Sequence, residues 1–175
     1  MNRKVLYLAH AAVIAALYVV LTQLAASLGL ASAAIQVRFS EALTVLPVFT
    51  PAAIPGLFAG CILANLLTGS VPLDVLFGSI ATLLGALGTY YLSHPSKQSA
   101  TYGFNLKSWQ RWLSPVPPIA ANTLIVPFIL AYVYQFEGSI PYFMLTVGAG
   151  EIISCGVLGL LLLNVLERYR CHIFL

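Results

Sequence analysis

Residues 4–30 read KVLYLAHAAVIAALYVVLTQLAASLGL, with no Asp, Glu, Lys or Arg after Lys4. A helix needs about 20 apolar residues, at about 1.5 Å each, to cross the hydrocarbon of a bilayer, so this stretch is long enough to span it with tilt. Arg3 and Lys4 before it and Ala31-Ser32-Ala33 after it also resemble the flanks of a secretory leader. Length argues otherwise, because a leader's apolar region is only about 7–15 residues.

Working outward, the same character continues. The chain is 60% hydrophobic and 7% charged over 175 residues, with a mean hydropathy of +0.94. A soluble domain carries about 25% charged residues, so this composition could not coat a water-facing surface of that size. Apolar runs cover about 4–30, 38–49, 51–68, 72–92, 113–134 and 140–167, and together they form one transmembrane domain over 1–175. The only long polar stretch is Ser93 to Trp112, with Lys97, Lys107 and Arg111, and it reads as a surface loop.

Charge tests the count. Lys and Arg gather at the cytoplasmic ends of membrane helices, which puts the N-terminus, the 93–112 loop and the C-terminal Arg168 and Arg170 inside. The last two segments form an outward and returning pair joined by a loop holding only Glu137. Between Leu30 outside and Ser93 inside the chain must cross an odd number of times. One crossing cannot absorb that much apolar sequence, so the short 38–49 segment counts as a helix. The expectation is an all-α bundle of six transmembrane helices with both termini cytoplasmic.

Small residues mark where membrane helices approach closely. Ala11/Ala15 and Ala12/Ala16 share spacing on the first helix, with Gly56/Gly60 and Ala81/Gly85 further on. Any one such pair is ordinary internal packing, whereas two overlapping pairs on one helix favour a docking face.

Strongly polar side chains inside a bilayer are costly and so carry functional hypotheses. Glu151 lies near mid-membrane on the last helix, with nothing in that helix to neutralise it. Asn122, entering from the opposite side, reaches similar depth, and antiparallel neighbours would bring the two together. Arg38 and Glu41, three apart, share a face and can pair. Asn65 lies in the outer half of its helix. These groups converge on an outer-half cavity near Phe39, Tyr132, Tyr134, Tyr142 and Phe143. Each has a plainer reading: Arg38 with Glu41 as a surface pair, Asn65 and Asn122 as interhelical hydrogen bonds. Asp74 and Glu137 fall near water and read as solvated, and Trp109 and Trp112 as an interfacial belt. His10, His94 and His172 are scattered. Cys61, Cys155 and Cys171 show no paired spacing, so neither a disulfide framework nor a metal site is expected.

The chain contains no HExxH, GxSxG or GxxxxGK[ST] pattern, so catalysis and ATP hydrolysis are not expected within it. Basic residues distributed as topology signals give no reason to expect a nucleic-acid partner. A channel would need a filter loop or a ring of like charge, and neither is legible.

Ile35–Pro47 (IQVRFSEALTVLP), Thr50–Phe58 (TPAAIPGLF), Gly60–Leu66 (GCILANL), Phe77–Leu83 (FGSIATL), Ala121–Pro127 (ANTLIVP) and Val147–Ile152 (VGAGEI) resemble the QueT family, substrate-binding S-components of energy-coupling factor (ECF) transporters. The loop from about His94 to Pro115 departs from the usual pattern. The resemblance implies a multi-pass protein of the bacterial plasma membrane that captures a queuosine precursor, a 7-deazaguanine such as preQ0 or preQ1, on the outer side. It also implies a transmembrane T subunit and two partner ATPases that use ATP and Mg, with docking through Ala11, Ala12, Ala15 and Ala16 and toppling of the S-component in the membrane. A guanine-like edge offers two adjacent donors to a carboxylate, which fits Glu151, while Asn122 can serve O6 and a ring nitrogen. Arg38 and Glu41 then shape or close the site, with Asn65 a further contact. The competing readings are an S-component for another vitamin or nucleobase, a stand-alone proton-coupled transporter in which Glu151 carries the proton, and a structural subunit without ligand.

Overall fold

The computed structural model describes residues 2–30, 36–94 and 108–173. The turn expected near 29–34 and the loop holding Lys97 and Lys107 lie largely outside them. All described secondary structure is helical: α1 (Arg3–Ser27), α2 (Ala53–Leu67), α3 (Pro72–Ser93), α4 (Ser108–Leu113), α5 (Val116–Tyr132), α6 (Ile140–Glu151) and α7 (Gly159–Ile173). A 3-10 helix, Phe39–Val48, lies between α1 and α2, and a π-helical segment, Ile152–Leu158, runs α6 on into α7. Residues 108–112, expected in the polar loop, are instead helical.

Four helical stretches are long and apolar enough to cross a membrane: Arg3–Ser27, Pro72–Ser93, Trp109–Tyr132 and Ile140–Tyr169. The 3-10 helix and α2 are apolar but shorter. Leu8, Val20, Leu24, Leu66, Leu145 and Leu161 are among the large apolar side chains facing outward. Such a belt suits lipid and not water. Helices satisfy their backbone groups internally, which is what a bilayer demands.

The segment expected as a short helix over 38–49 is a ten-residue 3-10 helix with Ser40 through Val48 buried. Such runs seldom exceed three or four residues, and their rise of about 2.0 Å per residue carries ten residues about 20 Å, against about 15 Å in α form. The tighter winding therefore reaches deeper with the same chain. Pro47, which has no N–H to give, and packing against α1, α3, α7 and the π segment hold it there.

α1 and α2 meet through small residues. A Cβ at Gly56 would lie 2.7 Å from the Ala11 carbonyl oxygen, and one at Gly60 would lie 2.8 Å from Tyr18 Cβ. Glycine is what lets the two backbones touch. Ala11 and Ala15 are buried in this seam, while Ala12 and Ala16, about 100° round the helix, are exposed. The four alanines expected to form one docking face are thus split: Ala11 and Ala15 are already occupied by α2, and only Ala12 and Ala16 remain available.

The two ends of the bundle differ chemically. At one end the Arg111 guanidinium donates to Glu167, joining α4 to α7, and Gln110 Nε2 donates to the Leu92 carbonyl at 3.1 Å. Tyr134 closes the other end, donating its hydroxyl to Asp74 Oδ2 at 2.8 Å. Burial and this hydrogen bond push the Tyr134 phenol above its ordinary value, so it remains a donor.

Candidate functional site

Chain crossing sets the site. Residues 36–38 run extended past α6 where Gly150 leaves no side chain, since a Cβ there would collide with the Gln36 carbonyl oxygen. The Arg38 N–H donates to Ser154 Oγ at 3.2 Å, fixing the start of the 3-10 helix on the π segment. One turn later Glu41 arrives beside Glu151. The π segment begins immediately after Glu151 and turns Ser154 and Cys155 inward; such widened turns recur at functional sites.

Five elements then meet in one buried polar cluster. Asn122 Nδ2 on α5 donates to Glu151 Oε1 at 3.0 Å and lies 3.4 Å from Glu41 Oε2. The Tyr18 hydroxyl on α1 donates to Glu41 Oε1 at 2.5 Å, and Cys155 Sγ donates to Glu151 Oε2 at 3.1 Å. Glu41, Asn122 and Glu151 are 2%, 4% and 8% exposed, so these carboxylates are turned away from bulk solvent and toward donors of the protein. Each carboxylate oxygen has further lone-pair capacity, so both can accept from a ligand. Ligand atoms of Glu41, Glu151 and Cys155 lie within 4.8 Å of one another. They could close round a cation only by giving up the hydrogen bonds just described.

The cluster floors a small pocket of about 20 Å³, room for about one water, lined also by Arg38, Asp74, Gly78 and Thr82. This pocket shares Gln36, Arg38, Asp74, Val126 and Val147 with an adjoining chamber of about 640 Å³ at the end away from Arg111. Asn65, Thr68, Tyr134, Phe136, Tyr142 and Phe143 are among its walls. The chamber is large enough for a flat heterocycle with a substituent, and its aromatic rings can pack on such a face.

Glu151, Asn122 and Glu41 therefore come together, Arg38 stands at the neck between pocket and chamber, and Asn65 lines the chamber. Two expectations need correction. Arg38 and Glu41 make no ion pair within 4 Å among the described residues; Arg38 precedes the 3-10 helix in extended conformation, and Glu41 turns to Tyr18 and Asn122. Asp74, expected to be solvated, is 6% exposed and lines both spaces. Sequence reasoning also passed over Tyr18 and Cys155. Tyr18 had a readable signal, since Ile14, Tyr18, Thr22 and Ala25 repeat at helical spacing as the buried stripe of α1. Cys155 lies one helical turn after Glu151, a cue that a cysteine in an apolar run hides.

The sequence model of the QueT transporter family matches residues 8–168. No curated protein and no solved structure matches the chain.

Proposed function

The chain belongs to the QueT transporter family, and from that premise we propose that it is the substrate-binding S-component of an ECF-type importer, capturing a 7-deazaguanine queuosine precursor. The observation that carries this reading is the Glu41–Asn122–Glu151 cluster in a small pocket that adjoins an open chamber. A guanine-like edge presents N1–H and an exocyclic amine side by side, and Glu151 accepts both when the side chains at the neck move apart to widen the small pocket for the edge of the ring. The Arg38 guanidinium, which has no ion-pair partner within 4 Å among the described residues, supplies donors for O6, and Asn122 adds one by releasing its longer bond to Glu41.

In this reading the six apolar helical stretches all cross the bacterial plasma membrane, and both termini are cytoplasmic. The arrangement is supported by Arg111 and Arg168 at the end opposite the chamber, which by the charge rule faces outward. A T subunit and two ATPases using ATP and Mg complete the transporter, with Ala12 and Ala16 on the docking face.

The test is calorimetric binding of preQ0, preQ1, queuine and guanine to the folded, detergent-purified protein, with riboflavin and thiamine as controls. Saturable binding of a deazaguanine at one site is expected. Binding of a control vitamin in its place would move the protein to another cargo. The paired carboxylates also favour a second reading, a stand-alone proton-coupled transporter. Uptake by this chain alone in liposomes, abolished by a protonophore, would select that reading.

A further inference from the structure

Asp74 and Asn65 have no part in the reading above, yet both face the ligand space with polar atoms to spare. Asp74 Oδ2 accepts from Tyr134, but Oδ1 has no hydrogen-bond partner among the described residues. Asn65, 3% exposed, makes only a 3.6 Å contact from Nδ2 to Cys61 Sγ, and its amide oxygen has no partner among them. A Cβ built at Gly78 would stand 3.3 Å from Asn65 Nδ2 and 3.6 Å from Asp74 Oδ1, so the two side chains flank one notch that only glycine leaves open. Gly78 lines the small pocket, Asn65 the chamber and Asp74 both, which places the notch at their junction.

The surrounding charge is predominantly negative. Asp74, Glu137, Glu41 and Glu151 line the two spaces, and Arg38 is the one Lys or Arg among the described lining residues. Carboxylates are acceptors only, so Asp74 Oδ1 supplies the anionic acceptor of the notch; Asn65, whose Nδ2 lies nearest the notch, brings its oxygen there by turning its amide over. A primary ammonium offers three donors and a positive charge, and charge-assisted hydrogen bonds of this kind are among the strongest in proteins. We propose that the Asp74–Asn65–Gly78 notch is a specificity subsite for an amine-bearing arm on the heterocycle. The protein thereby selects an aminomethyl deazaguanine over its neutral nitrile counterpart. The inference rests on the deazaguanine reading and adds to it the residues that choose among its members.

The test compares preQ1, with its aminomethyl arm, against preQ0, with its nitrile, and guanine, with no arm, by calorimetry on the full chain. Wild type is expected to bind preQ1 at least tenfold more tightly than preQ0. Asp74→Asn keeps an acceptor for Tyr134 and removes the charge; it should weaken preQ1 at least tenfold and preQ0 less than threefold. Gly78→Ala, whose new methyl meets nothing nearer than 3.3 Å, should act in the same direction by filling the notch. Equal wild-type affinities for preQ1 and preQ0, or variants that weaken both alike, would overturn the subsite and leave the deazaguanine reading standing. Binding of none of the three would overturn both.

Discussion

Two of the seams in this bundle are built from opposite materials. Between α1 and α2, Ala11, Ala15, Gly56 and Gly60 bring backbone against backbone with no side-chain polar group at the contact. Between the 3-10 helix, α5 and α6, Glu41, Asn122 and Glu151 join through hydrogen bonds between buried side chains. Lipid gives helices no hydrophobic reason to associate, so the first seam depends on close fit and dispersion. The second places costly groups at membrane depth and satisfies them with one another. A seam made of shape has one function, which is to persist. A seam made of unsaturated acceptors can also be opened by something that offers donors.

Breaking the shape seam should have the largest structural effect. Gly60→Val adds three carbons where a single Cβ would already lie 2.8 Å from Tyr18 Cβ and 3.0 Å from the Ala15 carbonyl oxygen. Backbone atoms cannot give way as a flexible side-chain end can. Overpacking of this sort costs about 1–3 kcal/mol or more. Thermal unfolding in detergent should show a midpoint lowered by several degrees, or no monodisperse protein at all. An unchanged midpoint would mean that the α1–α2 contact is looser than described.

Glu151→Gln acts on the other seam and should separate binding from stability. Glutamine keeps the shape and accepts from Asn122 through its oxygen, so the unfolding midpoint should hold or rise. Affinity for a deazaguanine should fall at least tenfold, about 1.4 kcal/mol, because one of the two acceptors for the paired donors is lost. A change within about threefold would sink the carboxylate's role as the base-reading group.

The two seams were not equally legible. Helical, membrane-type character follows from apolar runs such as 4–30 and 72–92, since hydropathy is a property of the chain read in order. Small-residue spacing announced the Gly56/Gly60 seam for the same reason: i, i+4 is local. It could not say which alanine pair of α1 meets those glycines, because both have that spacing and only the packing of α2 decides. The meeting of Glu151 with Asn122 was within reach of depth arithmetic on two antiparallel helices. Glu41's turn toward Tyr18 was not, because it depends on a 3-10 winding that no local rule favours over α for ten residues. Asp74 misled for a related reason. Its place at the start of a helix suggests water, but Tyr134, 60 positions on, covers it.

The smallest effect on the isolated chain should come from the alanine pair left outside. Ala12 and Ala16 lie outside the α1–α2 seam and are exposed, so Ala12→Leu in combination with Ala16→Leu should leave both the unfolding midpoint and ligand affinity unchanged. Ala11→Leu, one position earlier, presses a larger side chain into the occupied seam and should destabilise. If Ala12 and Ala16 form the face on which a partner subunit docks, the double variant should bind ligand normally yet fail to co-purify with the T subunit and to support ATP-dependent uptake. Close approach is what small residues provide, and two leucines remove it. Undiminished assembly would place docking on another face, and the exposed pair would then be lipid-facing surface whose spacing matches the buried pair by chance.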